Sequence, residues 1–389
     1  MPILLCEPGQ NAEGLIRSIG TGVRMADSLG AAAGLMDDDP TETLVVIGPG
    51  TATRDALAFA SATRTGRPAV GVILIREQVD VDLLNRALQS GVREVIPVGE
   101  DAALAAACRR SRDVSWRVLA STTADSGGPK ADGKVITVFA SKGGVGKTML
   151  SVNLGVVLAR AGGNRVCVVD LDLPCGDVAL SVLLDPERTL TDAVSMAGHL
   201  DVTGATSLLT GYQPGLDLLL APVLPEDAEK IQPSLVGELL AVLRGMFDYV
   251  VVDTSPQFSE HVLAALDASA HQVLVSTPDV LALKNLRVTL DVLDMLSYPA
   301  AIRAVVLNRA GPKSQLGVKD AERVLRTQIV AQIPESHAVQ VAVNKGKPVT
   351  LSSPGNPASK AIASFAQHYL LPAPISRGGL LGSLVRRPR

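Results

Sequence analysis

One run of eight residues, Ser141-Lys142-Gly143-Gly144-Val145-Gly146-Lys147-Thr148, constrains the fold more than any other stretch of the chain. It follows an apolar segment, KVITVFA, and precedes MLSVNLGVVLARAGG, which has helical spacing and stops at glycine. A strand, a glycine-rich turn and a helix in that order make a cradle for phosphate. The glycines let backbone N–H groups close around oxygens, and the helix N-terminus adds the positive end of its dipole. Two lysines in so tight a turn are costly to bury unless an anion meets them. The expected ligand is ATP with Mg²⁺, lined by Lys142, Gly143, Gly144, Val145, Gly146, Lys147, Thr148 and Met149. Lys147 would reach the β- and γ-phosphates, and the Thr148 hydroxyl would ligate Mg²⁺. The strict form of the motif has glycine where this chain has Ser141, and here a second lysine, Lys142, leads the double glycine.

Metal-assisted phosphoryl transfer also needs carboxylates near the metal and the attacking water. Open α/β sheets bind ligands beyond the carboxyl ends of their strands, and two apolar runs end there in aspartate. RVCVVDLDLPCGD offers Asp170 and Asp172, and YVVVD ends in Asp253. Asp253 has the position of a Mg²⁺ ligand acting through water. By their residue types alone, each of these aspartates is either a site group or a strand-end or helix-capping residue.

The rest of the chain repeats one grammar. ILLCE, TLVVIG, AVGVILI and EVIPV read as buried strands in the first part. KVITVFA, RVCVVD, GLDLLLA, YVVVD, QVLVS, AVVLN and IVAQI do so in the second. DALAFASATR and VDLLNRALQSG have helical spacing. With 47% hydrophobic and only 3% aromatic residues, Val, Leu and Ala must fill the cores, which suits parallel sheets covered by helices. The expected fold is α/β in two units: 1–120 and 134–372, the second larger and mostly parallel. A polar Gly/Ser-rich linker, 121–133, separates them, and a basic, partly apolar tail, 373–389, follows. The four cysteines lack metal-ligand spacing, and Cys6 and Cys167 lie in apolar runs as small buried hydrophobes. A net charge of −3, with no clustered basic face, argues against nucleic acid as a partner. No apolar run reaches the roughly 18 residues of a spanning helix, so a cytoplasmic location is expected.

KGGVGKT, with its leading lysine, resembles the deviant Walker A motif of the ParA/MinD group of P-loop ATPases, and the resemblance extends over nearly all of 134–370. It implies that Lys142 crosses into a partner's site, so that ATP is sandwiched in a homodimer that ADP releases. It assigns Asp172 to the attacking water and makes Lys142, Lys147 and Asp172 the catalytic set. Asn308, ending AVVLNRA, would contact adenine, and the IPESHAVQVAVNKGKPV segment, with Pro334 and Glu335, would close over the nucleotide.

In the first unit, ALQSGVREVIPVGED resembles the last helix–strand unit of response-regulator receiver domains, a flavodoxin-like fold. Glu7 alone follows the first strand, Gly48 and Pro49 stand where a phosphorylatable aspartate belongs, and VREVIPVG has no lysine. A receiver-like docking module that cannot be phosphorylated, followed by such an ATPase, resembles the TadZ/CpaE proteins of Tad (Flp) pilus and type II/IV-like secretion systems. That resemblance implies an ATP-switched organiser with slow hydrolysis, at a cell pole or the inner face of the membrane. A septum-positioning ATPase and a non-hydrolysing nucleotide-binding scaffold are the alternatives. The tail, SRGGLLGSLVRRPR, reads either as a weak interfacial helix or as a plain solvated tail.

Overall fold

A computed structural model describes residues 3–8, 12–19, 22–39, 41–123, 132–311 and 316–371. Two sheets are present among the described residues. The first has five strands: β1 (Ile3–Cys6), β2 (Val23–Ala26), β3 (Leu44–Ile47), β4 (Gly71–Arg76) and β5 (Glu94–Pro97), in the order β2-β1-β3-β4-β5. Every pairing in it is parallel. Helices Thr53–Gly66 and Val81–Gln89 fall where periodicity predicts them. Helix Asp101–Thr123 continues into the stretch read as linker, because helical geometry persists through Ser121 and Thr123. The remainder of that stretch up to residue 131, and the tail, lie outside the described residues.

The second sheet has eight strands: β6 (Lys134–Phe139), β7 (Val166–Leu171), β8 (Thr210–Gln213), β9 (Leu216–Leu219), β10 (Tyr249–Thr254), β11 (His271–Ser276), β12 (Arg303–Ala310) and β13 (Ile329–Pro334). Their order is β13-β12-β11-β6-β10-β7-β9-β8. All neighbours are parallel except β8 and β9, a hairpin at one edge. Strands β2 and β8 were not evident as strands in the sequence. Both are short edge strands interrupted by polar residues, Arg24 in β2 and Thr210 and Gln213 in β8, so they lack the apolar run of a central strand.

Alternation along the central strands divides the large core between the two faces of the sheet. Val166 and Val168 of β7 and Tyr249 and Val251 of β10 join one cluster. Cys167, Val169, Val250 and Val252 join the other. Cys6 and Cys108 are also buried, and Cys175 is exposed. Helix Lys147–Arg160 packs over the first cluster and is buried on most sides. It lies so close to β7 that a Cβ on Gly155 would stand 2.5 Å from a Val168 methyl. Burying each such Val or Leu contributes about 1.5–3 kcal/mol. The result is a rigid platform whose strand ends carry the polar residues. The second sheet and its helices form an open, mostly parallel α/β unit.

Candidate nucleotide site

The loop from Ser141 to Gly146 joins the end of β6 to helix Lys147–Arg160. Gly144 and Gly146 adopt φ of +74° and +98°, which side-chain-bearing residues rarely tolerate. A Cβ on Gly146 would also fall 2.3 Å from Nδ2 of Asn308. Asn308, buried at the end of β12, donates from that nitrogen to the Val145 carbonyl at 2.7 Å. Arg309 donates to the Gly144 carbonyl at 2.9 Å. The loop is therefore braced from β12 by Asn308 and Arg309. Ser141 has its own reason for not being glycine: its hydroxyl accepts from Thr289 at 2.8 Å.

Lys147 opens the helix and is buried, only 7% exposed. Asp253, near the end of β10, lies beside Asp170 of β7 in register across the two parallel strands. Ser151 donates to Oδ1 of Asp253 at 2.9 Å, while Oδ2 is buried without a hydrogen-bond partner. Burial pushes the Asp253 carboxyl up to about 6, against the opposing pull of Thr148, Ser151 and Lys147. Burial, reinforced by the charge of Asp253, holds Asp170 well above the usual carboxylate range.

Asp170 ties the ends of the next loop together. Its Oδ1 accepts from the Asp172 amide at 3.1 Å and its Oδ2 from the Val178 amide at 3.0 Å. Asp172 is half-buried; burial raises its carboxyl and the charge of Lys147 lowers it. Lys147, Asp170, Asp172 and Asp253 thus converge at one end of the sheet.

A cavity of about 390 Å³ opens on the glycine-rich loop, lined by Lys142, Gly143, Val145, Asp279, Arg309 and Glu335 among others. Lys142 is held at its rim, its amine 3.1 Å from Oδ1 of Asp279. Asp279 also caps helix Val280–Met295 through the Ala282 amide and accepts from Thr277 at 2.6 Å. Burial alone would raise its carboxyl, but Thr277, the Ala282 amide and Lys142 together keep it below the usual range.

Fit to a divalent cation is testable on one atom. Oδ2 of Asp253 is a buried, unpartnered acceptor beside the helix whose first turn carries Thr148, which suits a cation-held water. Among the described residues no group of His, Cys, Asp and Glu could hold a metal alone. Mg²⁺ commonly completes its shell with water and substrate phosphate.

Residues 136–349 match the family described as the CobQ/CobB/MinD/ParA nucleotide binding domain. The chain belongs to this family. The septum site-determining protein MinD of Thermotoga maritima is 32% identical over 231 residues, covering 57% of this chain and 82% of that protein. A ParA family ATPase from Chlorobium tepidum superposes with a TM-score of 0.58 at 25% identity, over 60% of this chain and 99% of that one. A MinD from Pyrococcus horikoshii complexed with Mg-ADP shares the fold, with a TM-score of 0.54 at 24% identity over 60% and 94% of the two chains. The family match begins inside β6, so the five-stranded unit lies outside it.

That unit carries its own polar cluster at the carboxyl ends of its strands. Glu7, following β1, is buried and accepts from the Gly50 amide at 3.1 Å. Arg76, ending β4, donates to the Gly48 carbonyl at 3.0 Å and to Thr53 at 3.2 Å. A Cβ on Gly48 would stand 1.8 Å from a carboxylate oxygen of Glu7. No larger side chain fits at position 48 while Glu7 keeps this place.

Sequence reasoning found the loop and the strand-end aspartates. It missed Asp279, Arg309 and Ser151. Asp279 stands three residues past the apolar strand β11 as the N-cap of a helix, so it does not end an apolar run as Asp253 does, and no recognised motif drew attention to it.

Proposed function

We propose that this chain is an ATP-dependent dimerising switch that positions or assembles a Tad/Flp-type pilus or a type II/IV-like secretion apparatus, with slow hydrolysis of ATP. The observation that carries the reading is the convergence of Lys147, Asp172 and Asp253 beside a P-loop, with a second lysine, Lys142, at the open rim. The neighbourhood of Lys147 suits phosphate, because a buried ammonium needs an anion. Thr148 and Asp253 would hold Mg²⁺, which supplies charge neutralisation on the transferred phosphoryl group. Asp172, half-exposed and tethered by its amide to Asp170, orients the attacking water. Lys142 leaves Asp279 and meets the phosphates bound to a second copy, so that ATP bridges two chains and ADP does not.

The assignment to a pilus or secretion machine leans on the N-terminal unit. With glycine at position 48 and Glu7 and Arg76 occupying its strand ends, it suits a receiver-like module that docks partners without accepting phosphate. The similarity to a MinD favours a second reading, a septum-positioning ATPase. No described helix is long and apolar enough to cross a membrane. Peripheral attachment at a pole or the inner membrane face would then fall to the tail. Flotation of the full chain on anionic liposomes, lost on deleting residues 375–389, is the expected result; flotation unchanged by the deletion removes the tail from the scheme.

The central reading is tested by sedimentation and phosphate release on the same protein. Mg-ATP should give dimers and slow turnover, and Mg-ADP should give monomers. A chain that stays monomeric in Mg-ATP and releases no phosphate would sink the proposal.

A further inference from the structure

A cleft of about 500 Å³ separates the two units. Its lining is partly apolar, with Leu88, Val92 and Val114 from the first unit and Met196 and Leu208 from the second. Thr210 and Gly211 of β8 line it as well. Strand β8 ends the large sheet and pairs only with β9. An edge strand turns every other N–H and C=O away from its neighbour, which makes it a template for one more strand. The cleft therefore offers main-chain hydrogen bonds along one wall and apolar surface for alternate side chains.

Charge selects among occupants. Six acids and four arginines line the cleft. Arg64 is matched by Asp201, Arg110 by Glu94 and Arg188 by Asp192. Arg93 is spent on the hydroxyls of Ser111 and Ser115 and the carbonyls of Pro68 and Ala69. Asp113, Asp185 and Glu187 are exposed and enter no ion pair among the described residues. The surplus is negative, so the cleft suits a segment that is both apolar and basic.

One segment of this chain has that composition. Residues 372–389 hold Leu380, Leu381, Leu384 and Val385 with Arg377, Arg386, Arg387 and Arg389, and no acid. Leu371, which precedes them, packs against the same core cluster as Tyr212 of β8. Tyr369 donates to the Arg303 carbonyl at the start of β12. From β12 to β8 the sheet order gives six strand spacings, about 29 Å in all. Residues 372–385 reach up to about 46 Å when extended, which is enough to cross. Residues 124–131, ADSGGPKA, have no large apolar side chain and no net charge, and do not match the cleft.

We propose that the cleft between the units is the docking site of the chain's own basic tail, which lies along β8 as an added strand. Leu380 and Leu384 share one face of such a strand and meet the apolar lining, while the arginines meet Asp113, Asp185 and Glu187. Docking of this kind needs neither nucleotide nor lipid, so it stands or falls apart from the switch proposed above.

The test follows amide hydrogen exchange in the full chain, without nucleotide or lipid, beside a chain lacking residues 375–389. Removing the tail should speed exchange of the β8 amides that point away from β9 by about tenfold. Asp185→Lys with Glu187→Lys should give a similar increase, and so should Arg386→Glu with Arg387→Glu. Combining all four substitutions restores the charge match, and slow exchange should return. Unchanged exchange across residues 210–213 on deleting the tail overturns the inference. Protection that appears only as protein concentration rises overturns docking within one chain and places the tail on a second copy. Failure of the fourfold variant to recover slow exchange, when each pair of substitutions abolishes it, overturns the pairing of the arginines with these acids.

Discussion

The amine of Lys142 and the carboxylate of Asp279 form an ion pair of 3.1 Å within one chain, between residues 137 positions apart. Their side chains are 38% and 46% exposed, so the pair contributes under about 1 kcal/mol. A contact this weak holds Lys142 at the cavity rim without opposing its proposed transfer to a triphosphate. In Asp279→Asn the cap on helix Val280–Met295 can persist, since asparagine also accepts from the Ala282 amide. The charge that competes for Lys142 is gone. Dimers should then form at an ATP concentration lower by up to about fivefold, as read by sedimentation across an ATP titration. An unchanged or raised requirement for ATP would show that Asp279 does not restrain Lys142.

Lys147 and Asp172 should fail in different ways. Lys147→Ala removes the buried cation proposed to face phosphate, so both affinity and turnover should fall. Asp172→Ala leaves the loop and Lys147 in place and should affect only the water that Asp172 is proposed to orient. Its kcat should drop by about 10²-fold or more while ATP affinity changes little, because the interaction matters only in the transition state. Parallel calorimetry and phosphate release on the two variants check this. Equal losses of affinity in both would remove Asp172 from its catalytic role.

Much of this site was legible in the sequence, for a local reason. The P-loop is contiguous, and Asp170, Asp172 and Asp253 announce themselves by ending apolar runs. What surrounds them is non-local. The Thr289 partner of Ser141 lies 148 positions away. Arg309 reaches the loop from a φ of +55°, a conformation that residue type does not foretell. Strand β8 escaped notice because its hairpin with β9 buries little of it, so apolar periodicity is weak there.

Asn308 provides a stability prediction independent of nucleotide. Its side-chain donor satisfies the buried carbonyl of Val145. Alanine leaves that carbonyl without a partner, at a cost of about 1–3 kcal/mol. Asn308→Ala should therefore lower Tm in nucleotide-free protein, and ATP and GTP affinities should both decline as the loop loosens. A normal Tm combined with a selective loss of ATP over GTP would mean that Asn308 reads the base and does little for the loop.

Asp253 carries the clearest dependence on pH. Its carboxyl is pushed up to about 6 in the folded chain, whereas an exposed aspartate titrates near 3.9. Between those values the folded state holds more protons than the unfolded state. The contribution of this group to stability is therefore greatest at low pH and is lost as pH rises through 6. Asn at this position cannot ionise, yet its oxygen can still accept from Ser151. Without metal or nucleotide, Asp253→Asn should melt higher than wild type at pH 7, and the difference should shrink toward pH 5. Added Mg-ATP should reverse the order at pH 7, because only the ionised carboxylate gains from a divalent cation. Thermal melts of the two proteins at both pH values, with and without Mg-ATP, read all of these signs. An Asp253→Asn variant less stable than wild type at pH 7 in the absence of ligand would show that the buried carboxylate is satisfied by the protein alone, leaving its free oxygen no claim on a metal.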